Sequence, residues 1–502
     1  MTFKGSDAYL YDMLDMSESS DLKKQQSEIA KFFVNTNILI TGGTGFLGKL
    51  LIEKILRSCP DVATVYMTVR PKKGKNSQER FKENFHGIEF SRLRREQPNF
   101  LNKVIMLEGD AAQQDFGLSP ESKNILMNTN IIFHAAASVR FDEIFRITMN
   151  TNVKSTKYMS LFAKELPNLK AFVHVSTAYS HCMLKSIDEI HYKVPIDGDK
   201  ILTLLDVLDD DKLEKITPVI LDKWPNTYVF SKAVGESIVL KYSNNLPVCI
   251  VRPSIMISTS EEPFSGWTNN LYGATGVVMG TSVGLMHTLH CIAENIADII
   301  PADCVVSNVI CAAWDIANRI SSIKSNESNM SDERIPIYNS VSSCQNPISW
   351  KEFMKWNEKD GFAVPSVKIV WYCMFIMTRY FIVYQLYIFF LHIVPATIVD
   401  MLAYLMGRKP ELSDTYKKIH KFSNVIHYFS THECHFRNAN VVKLWEKINS
   451  IDQQIFKFNV ACFTWHNYFY YHVRGIRLYM LNDPFETVDE AIKKSIKYRI
   501  TH

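Results

Sequence analysis

The run Thr41-Gly42-Gly43-Thr44-Gly45-Phe46-Leu47-Gly48 constrains the fold more than any other stretch of the chain. A short apolar segment, residues 37–41, stands before it. After it, residues 49–58 carry Leu50, Leu51, Ile55 and Leu56 at helical spacing. Between a strand and a helix, Gly42 permits a tight turn and Gly45 lets backbone N–H groups approach a pyrophosphate. Gly48 lets the helix pack closely on the sheet, and the helix N-terminus faces the anion. The chain has only 19 glycines, yet four fall between 42 and 48 and five between 266 and 284. Glycine this concentrated serves backbone geometry. The loop predicts dinucleotide binding, and the second cluster predicts flexible backbone near the same pocket.

Apolar runs at 63–69, 104–107, 131–133, 171–175 and 248–251 follow, with helical stretches between several of them. This alternation predicts an α/β fold: a Rossmann-type, doubly wound parallel sheet covered on both faces. At roughly 150 residues per domain, 502 residues allow two or three domains. With 47% hydrophobic and 22% charged residues the chain is too apolar to be disordered. The net charge is only +4 and no block is uniformly basic, which argues against a nucleic-acid partner. The ten cysteines are scattered, Cys304 and Cys311 being the closest pair. No spacing suits a metal, and the usage fits a reducing compartment.

The second strand ends in Thr68-Val69-Arg70-Pro71-Lys72-Lys73. An NAD site carries an acidic residue there for the ribose 2′-hydroxyl; Arg70 suits a 2′-phosphate and favours NADPH. Lys72, Lys73 and Lys75 read as a solvated loop. Asp110, after the third strand, stands where a carboxylate accepts from the adenine amino group. Tyr228 and Lys232 are four apart in Asn226-Thr227-Tyr228-Val229-Phe230-Ser231-Lys232 and share one helix face. An ammonium there is expected to lower the tyrosine pKa, making the phenol a general acid and base near neutral pH. The pair follows a strand end, Val173-His174-Val175-Ser176-Thr177-Ala178-Tyr179, whose hydroxyls reach a substrate oxygen, Thr177 as first choice and Ser176 as second. Glycine loop, hydroxyl and Tyr–Lys pair, in this order, point to hydride transfer. Thr177 and Tyr228 are 51 residues apart. The insertion at 181–224, with Ile201-Leu202-Thr203-Leu204-Leu205, is expected to line or cap a channel for a bulky substrate.

From about Ile29 to Tyr498 the chain resembles the extended short-chain dehydrogenases, and among them the alcohol-forming fatty acyl-CoA reductases. The segments that carry the resemblance are TGGTGFLG with KLLIEKILRSCPDV, RPKKGK, FHAAASVRFDE, HVSTAYSH, NTYVFSKAVGE, VRPSIM and GWTNNLYGATG. THECHFRNANVVKLW and GIRLYMLND are similar to that family's C-terminal male-sterility domain. Ala274 stands where the family tends to have proline and Ser155 where it has glycine; neither touches the proton-transfer trio. The resemblance implies NADPH-dependent reduction of long-chain or very-long-chain acyl-CoA to fatty alcohol through an aldehyde. Thr177 and Tyr228 would stabilise the oxyanion, Tyr228 would donate the proton, and Lys232 would hold the nicotinamide ribose. It extends the cofactor contacts to Thr44, Phe46, Leu47, Ala135, Ala136 and Pro253. No cysteine nucleophile is required, and Cys182 reads as a free thiol. Other readings are a membrane-bound hydroxysteroid-type reductase, which would lack the C-terminal resemblance, and a non-catalytic NADP-binding scaffold, which would have no use for an intact trio.

The expected organisation is a polar N-terminal segment (1–30), a reductase domain (31–350), a membrane-associated segment (367–406) and a helical C-terminal domain (407–502) without a catalytic constellation. Residues 367–406 hold ten aromatic residues and only three charges, Lys368, Arg379 and Asp400. Residues 380–399 carry no formal charge, and twenty helical residues span about 30 Å, the thickness of a bilayer core. One crossing or a hairpin in one leaflet is expected. No secretory signal is seen, so the catalytic domain should face the cytosol, on an endoplasmic reticulum or peroxisomal membrane. Acyl-CoA and lipid are the expected partners, and homodimerisation is left open.

Overall fold

In a strand buried on both faces, successive side chains enter opposite layers, so nearly every position is apolar. Strand β1 (Asn37–Thr41) shows this directly: Ile38 and Ile40 join the core on one side of the sheet and Leu39 the core on the other. The computed structural model describes residues 27–501 except 73 and 326–334. Most of the polar N-terminal segment expected over 1–30, and Lys73, lie outside the described residues.

The remaining strands, in chain order, are β2 (Thr64–Val69), β3 (Val104–Glu108), β4 (Ile131–His134), β5 (Ala171–Val175), β6 (Ser186–Ile187), β7 (Val248–Pro253), β8 (Ile255–Ile257), β9 (Thr288–His290), β10 (Ile299–Pro301), β11 (Ile337–Ser340), β12 (Ile376–Thr378) and β13 (His435–Phe436). Seven form one parallel sheet in the order β11-β7-β5-β4-β1-β2-β3. The order reverses between β1 and β4, and at such a switch point the connecting loops part and leave a crevice at the strand C-termini. The six strands expected from the sequence are all present. The seventh, β11, escaped notice because Ile337-Tyr338-Asn339-Ser340 is neither alternating nor uniformly apolar; Asn339 is buried by donating to the carbonyls of Ile187 and Arg437.

The helices that position the site are α1 (Phe46–Ser58), α2 (Thr227–Tyr242), α3 (Trp350–Ala363), α4 (Phe381–Leu405), α5 (Leu412–Thr431) and α6 (Trp465–Gly475). The C-terminal region is woven onto the sheet domain. Strand β13 pairs with β6 and β12 with β9, both parallel. Tyr468 of α6 hydrogen-bonds Ser258 beyond β8. Gly475 lies on Gly266 so closely that a Cβ at 475 would meet the Gly266 carbonyl oxygen at 1.7 Å. Gly284 is held likewise against the Trp371 backbone, where an added Cβ would lie 2.1 Å from the Trp371 carbonyl oxygen. The second glycine cluster therefore serves mainly close backbone packing rather than flexibility; of its five members, Gly273 alone lines the cavity described below.

The apolar window expected over 367–406 divides in two. Residues before 380 fold back on the body through β12, and only α4 continues as a helix, 25 residues long and mostly exposed. It is the one helix among the described residues long and apolar enough to cross a membrane.

Candidate active site

A cavity of about 520 Å³ opens at the switch point and runs from the glycine loop to the C-terminal helices. Every residue singled out for the site from the sequence lines it: Gly42, Thr44, Gly45, Phe46, Leu47, Gly48, Arg70, Asp110, Ala135, Ala136, Ser176, Thr177, Tyr228, Lys232 and Pro253.

At the cofactor end, Gly42 and Gly48 leave no room for a side chain. Gly42 has φ +76°, and a Cβ there would lie 2.8 Å from the Ala136 nitrogen and 2.9 Å from the Ala135 oxygen. A Cβ on Gly48 would lie 2.2 Å from the Gly42 oxygen. Gly45 caps α1 without a side-chain bond, which leaves the helix N-terminus facing the cavity for an anion. Farther along, Arg70 pairs with Asp110 at 3.0 Å, both partly exposed. A second guanidinium, Arg80, donates to the Arg70 carbonyl and, at 3.3 Å, to Thr44 Oγ1. Sequence reasoning missed Arg80, because only the fold brings the helix that carries it beside the loop. Lys72, expected in a solvated loop, also lines the cavity, whereas Lys75 pairs with Glu83 at the surface.

At the centre, α2 starts at Asn226, whose side chain caps it by accepting from the Val229 N–H. One helix face then carries Tyr228, Lys232 and Glu236 at successive turns. Thr177 lies beside the Tyr228 phenol and favours its ionisation, while its Oγ1 accepts from the Tyr179 N–H at 3.3 Å. Burial nevertheless pushes that phenol up to about 12. The expected lowering by Lys232 is therefore not seen: the ammonium donates to the Val175 carbonyl at 2.8 Å instead, and dehydration outweighs any charge effect. Burial brings Lys232 itself down to about 8, opposed by Glu236. A phenol of this kind stays protonated at neutral pH.

Ser176, the second-choice hydroxyl, is engaged elsewhere: it donates to Glu236 Oε1 at 2.5 Å. Burial works against ionisation of Glu236, but the Arg252 guanidinium, 2.6 Å away and fully buried, holds its carboxyl down at about 2. Ser180 also donates to this carboxylate. The network ties α2 to β7 and to the end of β5, and a buried ion pair of this kind is costly to break on one side. Glu236, at the third turn of the Tyr–Lys face, was readable from its spacing; Arg252 as its partner was not. Beneath the site His134 and His174 stack at 5.6 Å. Burial, assisted by Lys232, brings His134 down to about 3 and His174 well below its usual value, so both rings are neutral.

The far end is apolar, and it is not built from the insertion expected to line it. Ile201, Leu202 and Leu205 pack instead with Phe145, Met149 and Phe230 in a core beneath α2, and no residue of 181–224 borders the cavity. Cys182 belongs to that core; burial pushes its thiol far up, which makes it an inert thiol. The apolar wall comes from Val277, Leu289, Phe353, Met354, Met377 and Ile426. The C-terminal region, which showed no catalytic constellation, contributes Ile426, Phe429 and Ser430 to the pocket. Phe429 of α5 packs at 5.1 Å on Phe141, which in turn stacks on the Tyr228 ring at 5.5 Å. Of the two family departures, Ala274 lines the cavity, while Ser155 is buried and donates to the Thr151 carbonyl.

Family models described as male sterility protein match residues 40–309, with an NAD-binding model, and residues 391–483. The chain is 36% identical over 480 residues to fatty acyl-CoA reductase wat of Drosophila melanogaster, covering 95% of this chain and 90% of that one. It is 35% identical over 481 residues to fatty acyl-CoA reductase 1 of Homo sapiens, covering 94% and 90%. Among solved structures it resembles the terminal R domain of the myxalamid PKS-NRPS pathway, with TM-score 0.55, 16% identity and coverage of 90% and 93%. It also resembles the reductase domain of a non-ribosomal peptide synthetase from Mycobacterium tuberculosis, with TM-score 0.55, 16% identity and coverage of 92% and 99%. At that identity the likeness is one of fold. A Rossmann-type reductase fold with a glycine cradle for a nicotinamide dinucleotide, matched by one male-sterility model and joined to a helical C-terminal region matched by another, places this chain in the family of the fatty acyl-CoA reductases.

Proposed function

We propose that the protein reduces long-chain or very-long-chain fatty acyl-CoA to the fatty alcohol, using two NADPH and two protons and releasing CoA thiol. The observation that carries this reading is the cavity itself: a dinucleotide cradle, a Thr177–Tyr228 hydroxyl pair and an apolar wall lie in one continuous space. Two guanidiniums, Arg70 and Arg80, stand where a ribose 2′-phosphate would lie, and support NADPH over NADH. Residues Gly42, Thr44, Gly45, Phe46, Leu47, Gly48, Asp110, Ala135, Ala136 and Pro253 would hold the rest of the dinucleotide, which when bound supplies hydride.

The protein's part is to place and protonate. The hydroxyls of Thr177 and Tyr228 converge, so a thioester oxygen set between them meets two donors as negative charge develops. Collapse of the hemithioacetal breaks the C–S bond, and the thiolate leaves with a proton as CoA thiol. In the second reduction Tyr228 gives its proton to the alkoxide; a phenol near 12 is matched to so basic an acceptor. Lys232 orients the ribose and restores the phenol's proton. Phe141 covers one face of the tyrosine ring and is backed by Phe429, which limits the approach of water from that side. Exposed apolar positions on α4 support attachment to a lipid membrane, with the cavity on the cytosolic side. The test is direct: membranes bearing the protein, given NADPH and a ladder of acyl-CoAs, should yield alcohols and free thiol in equal amounts. Aldehyde accumulating as the sole product would sink the alcohol-forming part, and no thiol release would sink the whole reading.

A further inference from the structure

Helix α3 stands between two cavities, and Met354 is a wall of both. On one side is the large cavity that ends at Phe353 and Met377. On the other is a small space of about 50 Å³ bordered by Val278, Phe362, Val364, Val473, Ile476 and Leu481. Of the polar side chains beside it, Arg477 pairs with Asp483 at 3.2 Å and Asn357 donates to the Phe353 carbonyl at 2.8 Å, while Thr281 Oγ1, Asn357 Oδ1 and Arg477 Nε are buried without a hydrogen-bond partner, so a chain end entering here would meet the apolar side chains first. The small space is too tight for a second substrate and suits the end of a chain that already fills the first. The large cavity is of the size that holds a single drug-like ligand, yet a dinucleotide and an acyl chain must share it. A long chain needs an outlet.

We propose that Met354 is the gate between the two cavities and sets the acyl-chain length the enzyme accepts: shorter chains end against its thioether, and longer ones displace it and enter the second cavity. The inference rests on the acyl-CoA reading above. Methionine suits a gate, being unbranched and adaptable where Leu or Ile would be held in one rotamer. Its neighbour Phe353 is pinned edge-on against Phe469 at 5.5 Å, so the wall moves at Met354 and not beside it.

The test measures kcat/KM of the full-length protein in membranes for saturated acyl-CoAs from lauroyl to hexacosanoyl. Met354→Ala should raise the ratio of hexacosanoyl to palmitoyl roughly tenfold, the worth of about two buried methylenes, and Met354→Trp should lower it by as much. Gly361→Leu provides a second arm. Gly361 borders only the small cavity, and a Cβ there meets Val473 Cγ1 at an ordinary 3.8 Å. Leucine is also the better helix former, so the protein should fold, keep palmitoyl-CoA reduction and lose the longest chains. Unchanged chain-length profiles in active Met354 and Gly361 variants would overturn the gate while leaving the acyl-CoA reading intact. A wild-type protein that oxidises NADPH with no acyl-CoA of any length would overturn both.

Discussion

At the scale of single residues the site works through burial. Tyr228 holds its proton strongly because burial disfavours the phenolate. Tyr228→Phe should lower kcat by roughly 10²–10⁴-fold, the usual worth of a positioned general acid, with NADPH affinity by fluorescence titration nearly unchanged. A comparable loss of affinity would show that the phenol holds cofactor rather than moving a proton. Lys232, brought down to about 8, is charged below that pH and neutral above it. kcat/KM for NADPH should therefore fall as pH rises through about 8, and Lys232→Arg should remove that alkaline limb; a flat wild-type profile there would exclude a role for the ammonium. Arg70→Ala and Arg80→Ala should each raise the KM for NADPH by roughly tenfold or more, the worth of one charge-assisted bond, and leave that for NADH little changed. Equal effects on the two cofactors would remove the 2′-phosphate assignment.

Among elements, α4 is the least like the rest. Its side chains at Ile382, Phe390 and Leu405 are 76%, 62% and 71% exposed, whereas apolar residues of comparable size in α1 are buried. A helix so placed is either covered by something apolar or unstable in water. A lysine near the centre of a membrane helix costs about 2.5–3.5 kcal/mol, so Phe390→Lys combined with Ile393→Lys, both exposed and near the middle of α4, should move the protein from the carbonate-resistant pellet to the supernatant while NADPH binding persists. A double variant that stays in the pellet would mean the anchor is elsewhere. Cutting the chain before α4 would be a poorer test, because it would also remove α5 and with it Ile426 and Phe429 from the cavity.

Over the whole molecule, the C-terminal region is a wall of the reductase site rather than an appendage. The seam between them is held by backbone contact at Gly266 and Gly475, and no side chain fits there. Gly475→Ala should lower stability by about 1–3 kcal/mol through overpacking, seen as a reduced Tm. Trp267, next to Gly266, stacks on Phe46 of the glycine loop at 5.4 Å, so NADPH affinity should fall along with the Tm; an unchanged Tm would show that the seam accepts a methyl group.

Local pattern determined much of this. A strand buried on both faces must be apolar at nearly every position, and a loop whose backbone meets a pyrophosphate must be glycine; β1, α1 and the cradle of Gly42, Gly45 and Gly48 were legible for those reasons. The face shared by Tyr228 and Lys232 was legible because helical spacing puts residues four apart together. What only the tertiary structure decided depends on distance in sequence. Ile201 and Leu205 read the same whether they line a channel or fill a core, and it was packing against Phe145 and Phe230 that chose the core. Arg80 reaches Thr44 only because its helix packs beside the glycine loop, and Met354, Met377 and Ile426 reach the cavity only because α3, β12 and α5 pack over the sheet domain. The tyrosine pKa turned on the same point: four residues of spacing bring an ammonium near, but burial, which belongs to the whole fold, sets its direction.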